Sequence, residues 1–191
     1  VQSIRQTYSY EENIKKSRFI GVLIPCASES DIQNALKQLH QNHPHANHIA
    51  FAYRIKTGNG YLSRYHDAGE PGGTAGKPIF QHIEGKALIN VLLAVVRYFG
   101  GIKLGAGGLT RAYGNAAKQV IEIAELNPFV ELSEQQLTLD YKQMPQLEQL
   151  LKKLDGEIID QNFGVQIQLT VQLPQKYLDE LLGVFSGQSG H

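Results

Sequence analysis

The chain has 191 residues, of which 42% are hydrophobic and 19% charged, with 18 Lys+Arg balancing 18 Asp+Glu. That length suits one large or two small domains, and the composition is that of a globular chain rather than a disordered one. No apolar run reaches the ~18 residues of a membrane span, and the single cysteine, Cys26, excludes an internal disulfide, which fits a reducing, cytoplasmic setting without membrane partners.

In chain order, residues 19–25 predict a strand closed by Pro25, and Ser28 or Ser30 caps a helix whose apolar stripe is Ile32, Ala35, Leu36 and Leu39. Residues 48–55 alternate as a strand with Ile49, Phe51, Tyr53 and Ile55 on one face. The turn signal Thr57-Gly58-Asn59-Gly60 leads into a returning strand over 61–65. Residues 66–73 read as loop, followed by a short helix over 74–83 with Thr74 as its cap. Residues 86–98 are apolar nearly throughout, the pattern of a strand buried on both faces. A glycine-rich loop over 100–108 precedes a long helix over 109–125, whose buried face includes Leu109, Ala112, Tyr113, Ala116, Val120 and Ile121.

A boundary falls at Asn127-Pro128. Residues 1–127 carry 14 Lys+Arg and 9 Asp+Glu, net +5; residues 128–191 carry 4 and 9, net −5. The asymmetry points to an anionic partner for the first half or to attraction between the halves. The second half predicts a strand over 131–141, a helix opened by Pro145, a hairpin of 156–162 and 165–173 around Gly164, and a helix from Pro174. That β-α-β-β-α order is one strand short of a ferredoxin-like unit. Either residues continue beyond His191 or the sheet has three strands.

The principal candidate site is the segment from Arg97 to Arg111. Gly100, Gly101, Gly105, Gly107 and Gly108 permit close approach of a ligand, a helix amino terminus follows, and Arg97, Lys103 and Arg111 add charge. Together these form an anion or nucleic-acid cradle, set against the plainer alternative of tight strand–helix packing. The segment is neither a Walker loop nor a dinucleotide fingerprint, so no cofactor is expected. The second candidate is the loop of Asp67, Glu70 and Thr74, with Lys77 positioned to reach an anion. Its carboxylates suit an acid/base or metal pair, or, more simply, acceptors of backbone N–H groups. His40, His43, His45 and His48 are read as a solvated turn rather than a metal set, because Pro44 breaks any shared helix face. Cys26 is read as a buried, inert thiol, and the cluster Lys15-Lys16-Ser17-Arg18 as a solvated terminus or a phosphate contact.

The stretches Lys15-Lys16-Ser17-Arg18-Phe19, His43-Pro44, residues 67–78 and residues 97–114 together resemble the YigZ/IMPACT family. In this chain His66 and Ala68 replace the Ser and second Asp of the family's Ser-Asp-Asp-Gly-Glu-Pro loop, and Asn47-His48 stands where paired histidines are usual. The resemblance implies an α+β chain of two domains, the first like ribosomal protein S5 domain 2 and the second ferredoxin-like, similar to a domain of elongation factor G. It also implies contact with RNA or the ribosome. The family's eukaryotic relatives regulate translation under amino-acid starvation by binding a protein activator of an initiation-factor kinase. No His-Glu-x-x-His, Gly-x-Ser-x-Gly or metal set accompanies these motifs. The leading expectation is a translation-linked RNA- or ribosome-binding protein. The alternatives are a regulator that binds protein alone and an enzyme acting on a small phosphorylated ligand.

Overall fold

The computed structural model describes residues 1–185 and has two compact units, Val1–Phe129 and the segment from Val130 onward. Both mix α and β structure. In the first unit, β1 (Gln2–Ser3) pairs with β7 (Asn127–Pro128). The main strands are β2 (Tyr8–Ile14), β3 (Ser17–Pro25), β4 (His48–Thr57), β5 (Gly60–His66) and β6 (Val91–Tyr98). They form one antiparallel sheet in the order β2-β3-β6-β4-β5.

Alternation along β3 and β6 explains the layers. Phe19, Leu23, Leu93 and Val95 pack toward α2 (Gly76–Gly85) and α3 (Gly105–Ile123), while Ile20, Val22, Ala94 and Val96 pack toward α1 (Glu29–Asn42). With helices on both faces, the central strand β6 has no polar side to show, and it reads as an apolar run although the sheet is antiparallel. Ser28 caps α1 by accepting from the amide of Asp31 at 3.1 Å.

Two boundaries beside the candidate site differ from the predicted ones, and one strand was not predicted. The strand predicted from residue 86 begins at Val91, because Ala87 and Asn90 take positive φ (51° and 56°) and turn the chain out of α2. Helix α3 starts at Gly105, so Gly105, Gly107 and Gly108 are its first turns rather than a loop. Glycine costs about 1 kcal/mol in a helix; here the buried face of Leu109, Ala112, Tyr113, Ala116 and Val120 fixes the helix and overrides that preference. Strand β2, unforeseen from its mixed polar pattern, is an edge strand. It joins β3 through Lys15 and Lys16, both left-handed (φ 47° and 67°), so these lysines form a hairpin turn.

The second unit comprises β8 (Leu132–Leu139), α4 (Met144–Lys153), β9 (Glu157–Phe163), β10 (Ile167–Pro174) and α5 (Leu178–Phe185). Its sheet has the order β8-β10-β9. Leu137, Leu139, Leu169 and Val171 meet Leu147, Leu151, Leu181 and Phe185 in its core. Pro174 ends β10 and does not open the helix; a 3-10 turn, Gln175–Tyr177, comes between. The question of a further strand falls after α5 and lies outside the described residues. Among those residues, no helix is long and apolar enough to cross a membrane.

Candidate functional site: a buried carboxylate and two depressions beside helix α3

The register of the sheet sets up the site. Arg97 lies on the α2/α3 side of β6, directly opposite His48 of β4. The loop after β5 brings Glu70 over both, and α3 supplies Tyr113 from its buried face. Nη1 of Arg97 donates to both carboxylate oxygens of Glu70, at 2.9 and 2.8 Å. The Tyr113 hydroxyl makes a short hydrogen bond to Glu70 Oε2, and His48 Nε2 stands 3.2 Å from Oε1. His48 Nδ1 faces the carbonyl oxygen of Ala68 at 2.8 Å. Both ring nitrogens thus face oxygen atoms, which hold the ring in place.

Glu70 and Arg97 are 8% and 5% exposed, so each has lost most of its hydration. Stripping an ion of water costs several kcal/mol, and only dense pairing offsets it. Glu70 is fully engaged. Arg97 is not: its Nη2 reaches Ser17 Oγ at a long 3.5 Å, and its buried Nε has no hydrogen-bond partner. Its guanidinium lies 5.6 Å from the ring centre of Phe19 and 5.5 Å from that of Phe99. Burial, then the hydrogen bond to Glu70, holds the Tyr113 phenol well above its ordinary range, so it stays a donor. These contacts correct the reading of Arg97 as a free cation, and of Glu70 as half of an acid/base pair with Asp67.

Asp67 instead organises the loop. Its carboxylate accepts from the amides of Gly73 (3.0 Å), Ala75 (3.2 Å) and Gly76 (2.8 Å). Burial alone raises its pKa, but these three bonds together, with nearby His66, hold it below the usual aspartate value. Thr74 is not the helix cap. Its hydroxyl donates to the carbonyl of Pro71, the cap position is Ala75, and Asp67 serves the amides from upstream. Lys77 is exposed in the first turn of α2.

The glycines divide by role. A Cβ on Gly100 would lie 2.0 Å from the carbonyl oxygen of Lys16, so this glycine permits the hairpin to pack and does not admit a ligand. Gly101 and Gly105 take φ of 90° and 74°, and no atom approaches the position of an added Cβ at either. Gly107 faces the guanidinium of Arg111, and Gly108 packs on Leu104.

Two depressions flank the start of α3, sharing Leu104. A cleft of about 430 Å³ is lined by His48, Glu70, Arg97, Phe99, Lys103 and Gly105. A groove of about 710 Å³ is lined by Lys15, His82, Arg111, Asn115 and Lys118, and among the described residues no carboxylate lines it. Burial and then neighbouring Lys118 lower the pKa of His82, against a smaller opposing pull from Glu122. The structure therefore gathers Arg97 and Lys103 on one side, Arg111 on the other, and leaves Lys77 apart. Lys15, His82 and Lys118 were not foreseen as neighbours of Arg111; the basic run at Lys15 was their only sequence signal. Tyr113 and His48 were also missed as partners of Glu70. The signals were a hydroxyl on the apolar stripe of α3 and a histidine on the strand face opposite Ile49.

The remaining candidates are scattered. His43 is half-buried and bonds the Tyr98 hydroxyl at 2.6 Å, so neither it nor His48 belongs to a solvated turn. The described residues hold no cluster of three metal-ligating side chains. Cys26 is buried, and burial followed by Asp31 pushes its thiol up to about 11.

Residues 15–121 match the model of the Impact N-terminal domain, and residues 137–182 match a domain of unknown function, DUF1949. An IMPACT family member of Haemophilus influenzae is 38% identical over 171 residues, covering 89% of this chain and 83% of the relative. The IMPACT family member YigZ of Escherichia coli is 35% identical over 165 residues, covering 85% and 80%. A crystal structure described as that of a hypothetical protein superposes with a TM-score of 0.71 at 31% identity, covering 99% of this chain and 94% of the other.

Proposed function

The chain belongs to the IMPACT family, and on that premise we propose that it is a translation-linked regulatory protein whose first unit holds RNA or ribonucleoprotein in the groove beside α3. The family resemblance supports the link to translation. The observation that carries RNA contact is the groove itself: Lys15, Arg111 and Lys118 converge on one concavity, and Arg111 has no carboxylate partner among the described residues. Lys118 has only an exposed, 4.0 Å pairing with Glu122, too weak to quench its charge. Cations gathered with so little counter-charge suit a phosphate backbone, whose binding releases condensed counterions and weakens as salt rises. The test is titration of the full chain with tRNA or ribosomes across salt. Affinity should fall steeply with salt, and Arg111→Glu should flatten the slope; an affinity indifferent to salt would contradict the reading.

A second reading is a regulator that binds protein alone. It is favoured by Phe99 and Ile102, which are 46% and 42% exposed in the loop before α3. Purification of partners from nuclease-treated lysate separates the two. Partners that survive nuclease and are lost in Ile102→Asp would support this one.

A further inference from the structure

The cleft on the other side of α3 carries a different message from the groove. Three features meet there. First, α3 begins in the open: Gly105, Ala106 and Gly107 are exposed, the cap residue Leu104 provides no side-chain bond, and no acidic residue sits in the first turn. A helix start in this condition offers unpaired N–H groups and a partial positive charge. Second, Arg97, which lines the cleft, is 95% buried by its 5% exposure, yet its Nε has no partner and its Nη2 only a long one. Buried donors are almost always satisfied, so an unsatisfied one on a residue that lines a cleft marks a group still lacking an acceptor. Third, Lys103 is exposed, and Phe99, which lines the same cleft, is 46% exposed.

We propose that this cleft binds a phosphate monoester carried on a planar ring, the chemistry of a nucleoside monophosphate. The phosphate sits at the amides of Gly105–Gly107 with Lys103 alongside, Arg97 supplies its unused donors, and the ring lies against Phe99. The single carboxylate in the cleft does not repel such a group, because Arg97, Tyr113 and His48 already engage both its oxygens. The volume of about 430 Å³ falls in the range of roughly 300–1,000 Å³ usual for small-molecule sites. Two sources share this chemistry, a free nucleotide and the phosphorylated end of an RNA. The assignment does not depend on the groove binding RNA.

The experiment follows backbone amide resonances of the full chain on addition of adenosine 5′-monophosphate, inorganic phosphate, adenosine, and an RNA tetramer with and without a 5′-phosphate. The monophosphate and inorganic phosphate should shift Gly105, Ala106 and Gly107, and adenosine should not. Lys103→Ala should weaken the monophosphate about tenfold, as loss of one charge-assisted contact does. Phe99→Ala should weaken the monophosphate and leave inorganic phosphate unchanged. Competition by the 5′-phosphorylated tetramer, but not its unphosphorylated form, identifies an RNA end as the source; competition by neither, with the monophosphate bound, identifies a free nucleotide. The proposal is overturned if millimolar monophosphate leaves these amides unmoved, if adenosine moves them equally, or if the unphosphorylated tetramer displaces the monophosphate.

Discussion

Arg97 and Arg111 stand at the two ends of one strand–loop–helix segment and look interchangeable in the sequence, yet they live in opposite environments. Arg97 is enclosed, its charge matched by Glu70 and its plane held near two phenylalanine rings. Arg111 is exposed on α3 and lines a groove with two lysines. The difference comes from position. Arg97 falls on the inner side of β6, toward α2 and α3, where an unpaired charge is strongly destabilising. Arg111 falls on the outer side of α3, where water supports it and no partner is required. An arginine that must be paired organises structure and has only its remaining donors to offer a ligand; one that need not be paired can offer its whole charge.

Mutations can break or sharpen that contrast. The largest effect is expected on the enclosed side: Glu70→Ala leaves a buried guanidinium uncompensated and should cost about 4 kcal/mol of stability in denaturant unfolding. A loss under 1 kcal/mol would mean that Arg97 escapes to water and that the two arginines differ less than they seem. Next, Asp67→Asn should cost about 2 kcal/mol, because three amides lose a charged acceptor. The sign with pH is fixed by the lowered pKa of Asp67. Its contribution is present above the ordinary aspartate value near ~3.9 and is lost as pH falls through the depressed one. Acid unfolding followed by circular dichroism should therefore show a shallower acid limb in the Asn variant than in the wild type.

On the open side the expected change is in binding rather than folding. Arg111→Glu should lower RNA affinity about tenfold, near 1.4 kcal/mol, with stability within about 0.5 kcal/mol of wild type. A variant that unfolds instead would place Arg111 with Arg97. The smallest effect concerns the hairpin turn. Lys16→Gly removes a left-handed non-glycine residue and should stabilise the first unit by about 1 kcal/mol, read as a rise in Tm, without altering the charge of Lys15.

The regular parts of this arrangement were legible in the sequence. The stripes of α1 and α3 and the Thr57–Gly60 turn follow from period and turn chemistry, and they stand where they were predicted, although α3 itself begins four residues earlier. What was not legible depends on pairing across long separations. Nothing local tells that Glu70 meets Arg97, or that Asp67 reaches past Thr74 to cap α2. Glycine content misled twice in opposite directions. Gly100 looks like ligand space but is filled by the chain itself, and Gly105 looks like loop but begins a helix held from its far end. The charge surplus of the first half was visible, whereas its division between a buried pair and an open groove required the fold.

The carbonyl oxygen of Lys16 occupies the space that a side chain at residue 100 would need. Hairpin tip and the strand-to-helix connection are therefore seated against each other with no slack. The turn that carries Lys15 thus packs directly on the connection that leads to Lys103. For the anionic partner proposed above, the fold would then fix part of the spacing of the cations it meets.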